Sequence, residues 1–95
     1  MAISVYFEPK GMTLEQFNDI HRRLDEAGDG HNPHRLHHSC FGEDGHLMVY
    51  DIWDSPESFQ AFGAVLMPIL AEVGVDAGQP MVMPCQKLIQ TTADQ

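Results

Sequence analysis

Apolar and polar residues alternate at the start of the chain. In residues 2–8, "AISVYFE", Ile3, Val5 and Phe7 fall on one side and Ser4, Tyr6 and Glu8 on the other, which is the period of a strand. Pro9-Lys10-Gly11 ends that run. The period then changes. Phe17, Ile20, Leu24 and Ala27 form one stripe at helical spacing, while Asn18, Asp19, Arg22, Arg23, Asp25 and Glu26 form a solvated face. Thr13 stands where an N-cap belongs, Gln16 completes a capping box, and Met12 and Phe17 are spaced as a hydrophobic staple. Gly28 stops this helix. A second helix starts at Ser55-Pro56-Glu57, as cap, first helical position and first-turn acid. It carries Phe59, Phe62, Leu66, Ile69, Leu70 and Val73 on its buried side, and Gly74 ends it. Pro68 interrupts the pattern and predicts a kink or break near residue 64.

Between the helices lie two more alternating runs, about residues 34–41 and 46–53, joined by Gly42-Glu43-Asp44-Gly45. Asp-Gly between such runs predicts a hairpin. A last run from Met81 to Ile89 reads as a fourth strand, and Pro84 within it calls for an edge or a bulge. The tail from Thr91 is polar. The order is strand, helix, strand, strand, helix, strand. It predicts an α+β, ferredoxin-like βαββαβ domain with a four-stranded antiparallel sheet over residues 1–95. Two helices cover one face of such a sheet. A second sheet from a partner chain is the natural cover for the other, so a homodimer through sheet-to-sheet packing is expected.

Composition removes several classes of function. A formal net charge of −9 disfavours nucleic acid and anionic membrane surfaces. The longest apolar run, Ala64 to Ala71, is too short to span a bilayer. Two cysteines are too few for a disulfide framework, and with no signal-like N-terminus a reducing, cytoplasmic setting is expected. The sequence has no Gly-rich dinucleotide fingerprint, no P-loop and no HExxH motif.

The run from Tyr50 to Phe62, "YDIWDSPESFQAF", together with topology and length, resembles the dimeric α/β barrel superfamily. Within it the chain is most similar to the antibiotic biosynthesis monooxygenase-like proteins, in which an acid-x-Trp-acid-Ser run ends the third strand and opens the second helix. The resemblance implies a dimer whose two sheets close a barrel, and a cavity for a small molecule. Activities across the superfamily include cofactor-free oxygenation of aromatic polyketides, cyclisation, isomerisation and haem-dependent chemistry. Fold is therefore narrowed more than reaction.

The segment "HNPHRLHHSC", residues 31–40, concentrates four of the six histidines. On a strand, His34, Leu36, His38 and Cys40 share a face and His37 points away. His34 and His38 then stand about 13 Å apart, too far to chelate one metal ion. No metal bound by this segment alone, and no cofactor, is expected. A two-residue Asp44-Gly45 turn pairs Glu43 with His46 and sets His38 opposite Asp51, a four-residue turn sets His38 opposite Val49 on the same face, and only an odd-length loop would exchange the faces and put His37 with Asp51. The set Met48, Tyr50 and Ile52 is the more apolar side of its strand, so it is assigned to the helices with Ile3, Val5 and Phe7. The opposite face then carries Tyr6, His34, His38, Cys40, Asp51 and Trp53 and would be enclosed by the dimer. In this reading His38 is a general base oriented by Asp51, with Tyr6, His34 and Trp53 binding a flat aromatic or polyketide-like substrate. A His38 lying against the helices would be out of a substrate's reach. The competing readings are a non-catalytic ligand-binding or structural homodimer, in which Asp51 and His38 are a satisfied buried pair, and a metal or haem protein using histidines from two strands or two chains. Cys40 and Cys85 have no activating neighbour in sequence and read as inert thiols.

Overall fold

The computed structural model describes residues 1–90 of the 95. Its elements are β1 (Ile3–Phe7), α1 (Leu14–Glu26), β2 (Arg35–Glu43), β3 (His46–Trp53), α2 (Pro56–Val73) and β4 (Met81–Pro84). All strand pairs are antiparallel, in the order β2-β3-β1-β4. This is the expected ferredoxin-like α+β arrangement.

Local chemistry sets the element ends. The Gln16 amide donates to Thr13 Oγ1 at 3.1 Å, and the Thr13 amide donates back to Gln16 Oε1 at 3.0 Å, so the capping box is complete. The next amide, Leu14, donates to Asp44 Oδ1 at 2.9 Å, which ties α1 to the hairpin tip. Ser55 Oγ accepts from the Ser58 amide at 3.1 Å. Of the two outcomes expected at Pro68, a kink or a break, the break does not occur, and helix α2 runs through it as one element. Pro68 and Ala64 are both exposed, so the carbonyl that loses its partner remains open to water. Strand β4 is shorter than expected and ends at Pro84, on the sheet edge. The chain beyond it reaches the opposite edge, where the Gln90 side-chain amide donates to Leu36 O at 2.9 Å.

The register of the sheet corrects one expectation. Ile3, Val5 and Phe7 do face the helices, and they pair with Trp53, Asp51 and Val49. Paired residues of an antiparallel ladder point to the same side. The core face of β3 is therefore Leu47, Val49, Asp51 and Trp53, and the outer face carries Met48, Tyr50 and Ile52. Asp51 made the first set look polar. Its carboxylate is satisfied inside, so it does not keep that set out of the core.

Strand β2 contains a second departure. Arg35 pairs with Trp53 and His37 with Ile52, so Leu36 is an extra residue in the ladder. The bulge returns Arg35 to the core side, although His38 and Cys40 lie on that side too. The guanidinium stacks over Phe62 at 5.3 Å and Trp53 at 5.9 Å.

Candidate functional site

The hairpin has the two-residue turn, with Glu43 opposite His46 and His38 directly opposite Asp51. Asp51 is 2% exposed in the middle of the sheet. A carboxylate there needs strong donors. It accepts from His38 Nδ1 at 2.5 Å. The carboxylate thus selects the Nδ1–H form of the ring and turns Nε2 away from the sheet. That nitrogen meets His21 Nε2 of α1 at 3.0 Å, giving a chain of three groups, Asp51, His38 and His21. The chain is walled by Phe17, whose ring lies 4.5 Å from His21 and 6.0 Å from His38, centre to centre.

Burial, first, and the neighbouring His38 and Arg35 charges push the His21 pKa down to about 4. His21 is therefore neutral at pH 7. One imidazole donates an N–H and the other accepts it, as the 3.0 Å contact requires.

A cavity of about 50 Å3 lies between the helices and the sheet beside this chain. Its wall is apolar apart from His21, Arg35, His38 and Asp51, with Phe7, Leu24 and Leu70 among the rest. That volume holds a few waters, whereas a benzene-sized ligand takes a cavity of about 150 Å3. Entry of a ring requires the helix layer to shift from the sheet. A surface groove lined by Asn32, Leu36 and the same His21, Arg35 and His38 lies on the other side, so these three side chains stand between groove and cavity.

Of the residues expected at a site, His38 and Asp51 come together, and the other three do not join them. His38 does lie against the helices, the placement expected to close it off. Its side chain nevertheless keeps 23% exposure and lines both the cavity and the surface groove. Tyr6 is on the outer face, stacked on Phe41 at 6.3 Å. His34 is exposed, and its Nδ1 bonds Asp54 Oδ2 at 2.6 Å. The bulge removed it from the face of His38. Trp53 is fully buried against Phe62 at 4.7 Å, with an indole N–H that has no partner among the described residues. Burial pushes the Cys40 thiol up, which keeps it protonated.

His21 and Arg35 were not singled out from the sequence. His21 had a signal. It follows Phe17 by four residues and precedes Leu24 by three, which places it on the buried stripe of α1. Arg35 had none, because only the bulge turns it inward. Among the described residues no three His, Cys, Asp or Glu side chains converge on a common point for a metal ion.

No family model matches the sequence, and neither does any curated protein. Solved structures do share the fold. A Chloroflexus aurantiacus protein provisionally named an antibiotic biosynthesis monooxygenase superposes with a TM-score of 0.62 at 17% identity, over 93% of this chain and 97% of that one. A Deinococcus radiodurans protein of the same provisional name gives 0.59 at 12% identity, over 98% and 100%. At these identities the likeness establishes the fold alone.

Proposed function

We propose that this chain is a homodimeric α/β barrel protein of the antibiotic biosynthesis monooxygenase-like kind that binds a small aromatic or polyketide-like molecule and removes a proton from it without a cofactor. His38 is the base and Asp51 its orienter. The observation that carries this reading is the buried Asp51 carboxylate on His38 Nδ1, beside an apolar cavity. A buried carboxylate that fixes the tautomer of a partly exposed imidazole is suited to general base catalysis. An electron-rich ring, once deprotonated, can give electrons to dioxygen directly, so no side chain has to carry them.

The site lies within each protomer, between the helices and the sheet. The other sheet face supports the dimer. Phe41, Met81 and Met83 are about half exposed there, beside Tyr6 and Tyr50, and a second sheet would cover them. No helix among the described residues is long and apolar enough to cross a membrane. The free thiols Cys40 and Cys85 suit a reducing cytoplasm.

The small cavity favours a second reading, in which the protein is a structural or ligand-binding dimer and the Asp51, His38 and His21 chain is a satisfied buried network. Oxygen uptake measured on a panel of polycyclic phenols separates the two. Turnover that is lost in His38→Gln with the fold intact supports the enzyme. Equal rates for wild type and variant, or no turnover across the panel, support the structural reading.

A further inference from the structure

We infer that His21 is the group that meets the substrate, taking a proton from a carbon acid fused to an aromatic ring and passing it to His38, while Arg35 holds the enolate oxygen that is left. This rests on the base reading of His38 given above and adds the residue that reaches the ligand.

Both nitrogens of His38 are occupied. Nδ1 is held by Asp51 at 2.5 Å and Nε2 by His21 at 3.0 Å. Neither is free to face a ligand while both contacts hold. His21 Nδ1 has no hydrogen-bond partner among the described residues, and its ring lines the cavity. It is the open end of the chain.

The proton path follows from the tautomers. His21 begins neutral, donating Nε2–H to the His38 Nε2 lone pair, with its own Nδ1 lone pair free. The substrate C–H bond breaks, its proton joins His21 Nδ1, and its electron pair moves into the conjugated enolate oxygen. The Nε2 proton of His21 passes to His38. His21 is left neutral as the other tautomer, and His38 becomes an imidazolium whose Nδ1–H stays on the Asp51 carboxylate. Reversal returns the proton to the product.

The placement of charge suits this path. The groups facing His21 are Asp25 on its own helix, His38 and Arg35 on β2, and Asp51 on β3. Burial and the two basic neighbours keep a positive charge off His21 itself, so it is suited to relaying a proton and not to keeping it. The charge comes to rest beside Asp51. Arg35 suits the anion. Arg22 and Arg23 are paired with carboxylates, whereas Arg35 has no acidic partner within 4.0 Å among the described residues. Its only hydrogen bond there goes to Gly30 O at 3.3 Å, so most of its donors are free at the cavity wall.

β-Tetralone, a bicyclic ketone with acidic C–H bonds beside its aromatic ring, is a suitable probe. Incorporation of deuterium from D2O, followed by proton NMR, reads deprotonation directly. Wild-type protein should accelerate exchange over buffer. His21→Gln and His38→Gln should each lose about 100-fold, and the double variant should be no slower than either, because the two rings act as one unit. Free imidazole should restore exchange to His21→Ala, which a purely structural role would not allow. Circular dichroism and thermal melts check that each variant is folded. A His21→Gln rate equal to wild type, with His38→Gln inactive, overturns the inference and leaves the base reading of His38 standing. An inactive His21→Gln with His38→Gln at full rate overturns the relay. No acceleration by wild type overturns both.

Discussion

Asp51→Asn separates a catalytic role for the buried pair from a structural one. The replacement is nearly isosteric, so the layer of Val5, Val49 and Trp53 around it keeps its packing. The carboxylate accepts from His38 Nδ1 through a charge-assisted hydrogen bond, worth about 1.5–3 kcal/mol, against about 1 kcal/mol for a neutral one. The difference of about 0.5–2 kcal/mol is opposed by relief of the cost of burying a charge that is 2% exposed. Net stability should therefore change by no more than about 1 kcal/mol, read as a midpoint shift in urea. Proton transfer should change far more. The carboxamide that replaces the carboxylate can offer N–H to Nδ1, which moves the ring proton to Nε2 and leaves His38 with no lone pair for the proton from His21. Deuterium exchange into β-tetralone should fall at least 100-fold. A loss of about 3 kcal/mol or more in stability with exchange unchanged would refute this reasoning and make Asp51 a structural residue.

Three further outcomes follow from the same contacts. The His21 ring binds a proton near pH 6.5 when unfolded and only near pH 4 when folded, so the unfolded chain holds more protons between those values and stability falls as pH drops from about 6.5 towards 4. The full shift would be worth about 3 kcal/mol, and screening of a partly exposed ring reduces it to about 1–2 kcal/mol; the slope should be smaller in His21→Gln, as measured by chemical denaturation across that range, and an identical slope would contradict it. Thr13→Ala and Ser55→Ala should each cost about 1 kcal/mol in thermal melts, because both caps accept an amide at 3.1 Å. Light scattering should show a dimer that Met83→Glu, on the outer sheet face, converts to monomer, and a wild-type monomer at micromolar concentration would remove the basis for the barrel.

Element order, both N-caps and the hairpin with its shared face for His38 and Asp51 were legible in the sequence, because each rests on contacts between near neighbours. Thr13 and Gln16 are three residues apart, and Asp44-Gly45 marks the hairpin, although only the structure shows that the turn is the two-residue one that sets His38 opposite Asp51 and not Val49. The face assignment of β3 was not legible. It depended on whether Asp51 counts as polar, and that depends on a histidine 13 residues away. The bulge at Leu36 was hidden too, since nothing in "HRLHH" marks an extra residue, and with it went the position of Arg35. The pairing of His21 with His38 requires knowing how α1 is rotated on the sheet, which the stripe from Phe17 to Leu24 indicates but does not fix to one residue.

Imidazole nitrogen NMR of protein labelled with 15N-histidine, recorded near pH 7, tests the chain of Asp51, His38 and His21 most directly. The His38 proton should sit on Nδ1, slow to exchange with water, and the Nε2 atoms of His38 and His21 should show a coupling across their shared hydrogen bond. A His38 ring in the Nε2–H form with a freely exchanging proton, and no coupling to His21, would contradict that chain.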